Sequence, residues 1–170
     1  MDILDNDISY KNIVNDIINN NEFNKLSNIP HHGETRMEHS IKVSYYSYKI
    51  SKFLKLNYRE TARAGLLHDF YFDRTKDYKQ VKDKVKLYTT GHPGDALKNA
   101  DELFILSDKE KDIIKAHMFP LSFSIPKYLE AWVVNGVDTV ISTYEFFKKF
   151  SYQLNTVLNV WLILLINLRK

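Results

Sequence analysis

The residues able to do chemistry in this chain are its histidines and carboxylates, because it contains no cysteine and therefore no thiolate ligand, thiol nucleophile or disulfide. His68-Asp69 closes the apolar run Ala64-Gly65-Leu66-Leu67. A histidine and a carboxylate buried there need hydrogen bonds, opposite charge or a metal to replace lost hydration. Four more polar residues fall where the pattern predicts core or a rigid helix edge. His39 shares a stripe with Val43, Tyr46, Ile50 and Phe53, at alternating steps of four and three. His117 follows Ile113 at i+4, Asp138 lies between Val134 and Ile141, and His92 sits at a helix cap held by Pro93. A shared site for one or two divalent metal ions explains His39, His68, Asp69, His92, His117 and Asp138 more simply than separate accommodations in the core. Imidazole and carboxylate without thiolate suit iron, manganese, cobalt, nickel or zinc.

The elements that must position these residues read as helices. Tyr10, Ile13, Val14, Ile17 and Ile18 predict a first helix, with Ser9 as a candidate cap and Asn19-Asn20-Asn21 as its break. Residues 28–33 contain Pro30 and Gly33 and form a loop that carries His31 and His32, as exposed turn residues or as contacts for an anionic substrate. A long amphipathic helix opens over 35–40 and runs to about Leu54. Asn57 and Glu60 have capping-box spacing and introduce a helix over 61–70, in which Gly65 admits a close neighbour. On that helix His68 and Asp69 are about 100° apart, so both lean toward one groove.

Residues 71–88 mix Asp, Lys and Arg and read as a solvated loop or exposed helix. Asp73 and Arg74, nearest the doublet, are its candidates for substrate contact or catalysis. Pro93 starts a helix through Leu103, and Ser107 with Glu110 caps another that stops at Met118-Phe119-Pro120. After Pro126, Leu129, Val133, Val137, Val140, Tyr144 and Phe147 form one apolar ridge, with Val134, Asp138 and Ile141 beside it. Residues 157–168 are strongly apolar, too short to span a membrane, and fit a buried terminal helix or a homodimer contact. With weak strand signals, no repeat and no linker, the expectation is an all-α, single-domain fold over 1–170 with its motif-bearing core at about 36–147.

Composition narrows the function classes. At 44% apolar and 14% aromatic residues, the 170-residue chain is a folded protein and long enough for a sizeable core. A net charge of +3 with interspersed signs gives no electrostatic footprint of a nucleic-acid binder. The acidic opening of residues 1–7 has the wrong sign for a secretory or transit peptide, which points to the cytoplasm, with no membrane partner.

The order His39, then His68-Asp69, then Asp138 resembles the signature of the HD-domain metal-dependent phosphohydrolases, helical proteins named for their His-Asp doublet. His92 in Gly91-His92-Pro93 and His117 in Lys115-Ala116-His117 match the additional histidines of subgroups that hold two metals. Arg36-Met37-Glu38-His39 is similar to the opening of bacterial members acting on dinucleoside polyphosphates, and Arg74 stands where many members carry lysine. The resemblance implies that His39, His68, Asp69 and Asp138 bind one metal and that His92 and His117 bind a second, with Asp69 bridging. It further implies hydrolysis of a phosphate ester or anhydride, expected in a nucleotide or dinucleoside polyphosphate, by metal-activated hydroxide. Arg36, His31 and His32 are then expected at the substrate, and Asp73 and Arg74 in proton transfer or phosphate contact. A one-metal nucleotidase and a non-catalytic metal- or nucleotide-binding module are the alternatives.

Overall fold

A computed structural model describes residues 2–31, 33–72 and 92–168. His32, Asp73 and Arg74 lie outside the described residues, as does the mixed-charge stretch after them. The elements in chain order are α1 (Asp2–Asn6), α2 (Ile8–Ile18), α3 (Asn21–Asn24), a 3-10 turn (Lys25–Asn28), β1 (Pro30–His31), β2 (Glu34–Thr35), α4 (Arg36–Phe53), α5 (Tyr58–Leu67), α6 (His92–Leu103), α7 (Asp108–Ala116) and α8 (Leu129–Leu168). The fold is all-α. Among the described residues, β1 and β2 form one antiparallel pair in which His31 faces Glu34.

Local chemistry sets the helix starts. Asp7, not Ser9, caps α2, its side chain accepting from the Tyr10 N–H at 3.0 Å. Thr35 and Glu38 form a full capping box at α4, which places Arg36 and His39 in its first turns. Ser107 and Glu110 do the same for α7. Asn57 caps α5 through the Glu60 N–H, but its own backbone N–H donates to Glu130 on α8 at 3.0 Å. Lys109 reaches the same Glu130 oxygen at 2.7 Å, so one carboxylate ties α5, α7 and α8 together.

The buried face of α4 differs from the apolar stripe. Tyr46, Ile50 and Phe53 are exposed, whereas Ser40, Ser44, Ser47 and Ser51 are buried with His39, Val43 and Tyr48. The cause is close packing: a Cβ on Gly65 of α5 would stand 3.1 Å from the Ser44 Cα. Helices that approach so tightly need small residues at the crossing. The serine hydroxyl is also satisfied there, donating to the Ala62 carbonyl at 2.6 Å and accepting from the Tyr10 hydroxyl at 2.7 Å.

A similar rotation holds on α8, which runs unbroken from Leu129 to Leu168 instead of stopping before an independent terminal helix. Leu129, Val140, Tyr144 and Phe147 of the predicted ridge are exposed, whereas Val137 of that ridge is buried with Ala131, Val134, Asp138 and Glu145, and Val133 packs against the core. No helix among the described residues is long and apolar enough to cross a membrane.

Because the Ser44 backbone cannot retreat from α5 without moving α4, Gly65→Val is expected to lower unfolding free energy by about 2–3 kcal/mol. Chemical denaturation measures this, and an unchanged midpoint would refute the close crossing.

Candidate metal centre

Each buried polar side chain reaches the centre from a helix end or helix face. His68 and His117 cap the C-termini of α5 and α7. Both use the same device: Nδ1 donates to the carbonyl three residues earlier, Gly65 for His68 and Ile114 for His117, each at 2.7 Å. This hydrogen bond fixes the tautomer and turns the Nε2 lone pair inward. His92 enters from the first residue of α6, and its Nε2 lies 3.1 Å from that of His117. Asp138 comes from α8 and His39 from α4. Asn99 of α6 donates to the Phe70 carbonyl just past the doublet at 3.0 Å. Asn135 of α8 donates to the carbonyls of His117 and Phe119 at 2.6 and 2.7 Å.

Asp69 is the hub. Its Oδ1 lies 3.5 Å from Nε2 of His92, 3.5 Å from Nε2 of His117 and 4.0 Å from Nε2 of His68. Asp138 Oδ1 lies 3.8 Å from His68 Nε2 and 3.1 Å from His39 Nε2, and accepts from the Ser142 hydroxyl at 3.1 Å. Ligand atoms held about 2.1 Å from one ion are separated by roughly 3 Å when adjacent and 4.2 Å when opposite, so these spacings suit shared coordination. Among the described residues, two fully buried groups have ligand atoms within 4.8 Å of one another, His39, His68 and Asp69, and Asp69, His92 and His117; His31, His39 and Glu145 form a third, with His31 half-buried. Asp138 adjoins the first.

The donors also fit a metal chemically. Among the described residues, the buried His68 Nε2 has no hydrogen-bond partner. A lone pair stripped of water and aimed at two carboxylates is costly unless a cation takes it. Burial pushes the His68 imidazole down to about 4, with Asp69 and Asp138 only partly opposing, so it is neutral and able to ligate near neutral pH. Burial alone would raise Asp69, but the field of His68 and the contacts to His117 and His92 hold it well below the usual carboxylate range.

The sequence reading missed Glu145. It lies seven residues, two helical turns, beyond Asp138 on the same face of α8, and that spacing was the signal available. Its Oε2 accepts from His39 Nδ1 at 3.1 Å, while Lys42 stands 3.9 Å from its other oxygen. His39 is thereby clamped between Glu145 and Asp138. Burial would lower His39, but those two hydrogen bonds outweigh it and raise the imidazole to about 10; Asp138 is correspondingly pulled down to about 2 against its own burial.

The centre opens into a cleft of about 460 Å³ lined by Asp69, His92 and Asp138 and also by His31 and Arg36. His31, half-buried on β1, sets its ring 4.5 Å from that of His39. Arg36 is buried, donating to the Tyr71 carbonyl at 2.7 Å and the Tyr71 hydroxyl at 3.0 Å, with its guanidinium 3.8 Å above that ring. The structure thus brings together all six expected ligands and places His31 and Arg36 at the mouth.

The HD domain family model matches residues 36–140. The chain belongs to the HD-domain family, whose members are generally metal-dependent hydrolases. No curated protein and no solved structure matches it.

In the metal-free protein His39 keeps a proton that a metal must displace. Its raised value means that its contribution to stability is complete below its ordinary 6.5 and lost as pH rises through about 10. The depressed Asp138 contributes above 3.8, and this is lost as pH falls toward about 2. Metal binding at this end therefore releases a proton, and apparent affinity should rise about tenfold per pH unit between roughly pH 7 and 9. Calorimetric titration with manganese in buffers of different ionisation enthalpy measures the release; pH-independent affinity would contradict it. Glu145→Gln, which keeps an acceptor but loses the charge, should weaken metal binding by about tenfold, and Glu145→Ala by more.

Proposed function

We propose that the protein is a metal-dependent phosphohydrolase that cleaves a phosphate ester or anhydride of a small metabolite of nucleotide size. The observation that carries this reading is Asp69 Oδ1 set among three imidazole nitrogens at 3.5–4.0 Å on the wall of an open cleft. His39, His68, Asp69 and Asp138 would hold one divalent ion, and Asp69, His92 and His117 a second. Such ions supply positive charge to phosphoryl oxygens and lower the pKa of water toward neutrality.

The chain's own groups do the rest. Asp69 and Asp138 present negative charge that keeps cations in the cleft, while the histidine hydrogen bonds to Gly65, Ile114 and Glu145 hold the donors in place before substrate arrives. Arg36, braced against Tyr71, and His31 at the rim provide cationic or hydrogen-bonding contacts for phosphate oxygens. Thr139, Ser142 and Thr143 line one wall with hydroxyls, and Met118 and Leu121 line another with apolar surface. A ligand with one polar, hydroxylated part and one flat apolar part suits those walls, which favours a nucleotide. Asp73 and Arg74 are proposed to assist as proton-transfer or phosphate-contact groups, and His32 as a substrate contact beside His31.

A one-metal nucleotidase is the second reading. It is favoured by the 3.1 Å approach of His92 to His117, which lets that pair satisfy itself without an ion. Metal counting per chain separates the two.

The test is a hydrolysis panel of nucleoside monophosphates, dinucleoside polyphosphates and sugar phosphates, run with manganese, cobalt, nickel, iron and zinc. The wild-type protein should turn over at least one class, and Asp69→Ala should lose metal together with at least about a thousandfold in kcat/KM. Full turnover by Asp69→Ala would overturn the reading.

A further inference from the structure

The outward rotation of the apolar stripes on α4 and α8 leaves a surface that the centre does not use. Tyr46 and Ile50 of α4 face Trp132, Val133, Val137 and Val140 of α8 across a groove of about 550 Å³. Gly136 leaves its floor open, since a Cβ there would meet nothing within 4 Å. Phe53 stands one turn beyond Ile50, and Tyr144 and Phe147 one and two turns beyond Val140. The side chains of this patch are between 41% and 85% exposed where they project.

From this surface we infer that the protein forms a two-fold dimer in which the α4–α8 groove of one copy packs against the same groove of another. Three observations choose this occupant. The first is area: Tyr46, Ile50, Phe53, Trp132, Val140, Tyr144 and Phe147 leave on the order of 1,000 Å² uncovered. A standard interface takes about 800 Å² per partner, and the largest apolar patch on a typical monomer is roughly 300–600 Å². The second is shape. The end of α4 lies at the start of α8, through Asn57 and Glu130, and its start lies at Glu145, so Phe53 stands at one end of the groove and Tyr144 with Phe147 at the other. A two-fold axis in the plane of the contact and perpendicular to the groove's length lays each end over its opposite, an isologous contact. The third is charge: among the described residues no lysine or arginine lines the groove itself, and Lys148 stands only beside Tyr144 and Phe147 at its end, whereas an anionic lipid surface is held by clusters of such residues. Aromatic rings such as Trp132 and Tyr46 are also the side chains that dominate protein interfaces. The contact lies on the first half of α8 and on α4, not on the apolar run at 157–168.

Sedimentation of the full chain over a concentration series tests this. The wild type should sediment as a dimer at tens of micromolar. Val140→Glu on α8 and Ile50→Glu on α4 should each raise the dissociation constant by roughly thirtyfold or more, with helical circular dichroism unchanged. Phe123→Glu, at an exposed residue off the groove, should leave it unaltered. Because the chain has no cysteine, Val140→Cys provides an independent readout. Oxidation should link two copies far more efficiently through Val140→Cys than through Phe123→Cys. A wild type that stays monomeric, a dimer indifferent to both glutamates, equal cross-linking at the two cysteine positions, or a monomer that binds phosphatidylglycerol vesicles through Val140 would each overturn the proposal.

Discussion

Asp69 carries a negative charge almost completely removed from water, and the rest of the structure is arranged around that cost. An isolated buried carboxylate would be several kcal/mol unfavourable, and a low-dielectric interior magnifies whatever positive charge is placed beside it. Four helices therefore send imidazoles toward one region. The hydrogen bonds behind those rings, to Gly65, Ile114 and Glu145, keep their inner nitrogens aimed at one volume rather than at the nearest carbonyl.

That convergence depends on how closely the helices pack. Ser44 of α4 lets α5 come within backbone distance at Gly65, and His39 of α4 and the His68-Asp69 pair after α5 meet in one buried cluster. Around that cluster, side chain to backbone bonds from Asn99 and Asn135 and the Glu130 junction fix α6, α7 and α8 as a frame. The same tight packing puts Ser44 inward and leaves Tyr46, Ile50 and Phe53 of α4 outward. On α4 the inward position of His39 and the exposed wall of the α4–α8 groove follow from one helix orientation.

The sequence made the helical class, the helix bounds of α4 and α7, and the six converging residues legible, because caps, prolines and residue types act locally. His68-Asp69 at the end of a buried helix and His117 at the end of another follow directly from their place after apolar runs. Which face of a helix turns inward was not legible. Tyr46, Ile50 and Phe53 have the spacing and hydrophobicity of a core stripe, yet Ser44 takes the core because the crossing with Gly65 demands small volume, and Ser40 and Ser47 are buried on the same helix. Glu145 escaped notice for a related reason: a glutamate in an exposed-looking helix gains meaning only once Asp138, two turns away, is known to face His39. His31 was legible as a loop histidine ahead of α4, but its 4.5 Å approach to the His39 ring was not, because that depends on the local β1–β2 pairing, which two-residue strands do not announce.

The most direct measurement is anomalous diffraction from crystals of the protein grown with manganese. The account predicts a strong peak within coordination distance of Asp69 Oδ1 and His68 Nε2, bounded by His39 and Asp138, and a second beside His92 and His117 if the paired-ion arrangement holds. Diffraction showing no ordered manganese at Asp69, with His68 Nε2 instead bonded to water or to a protein donor, would contradict it.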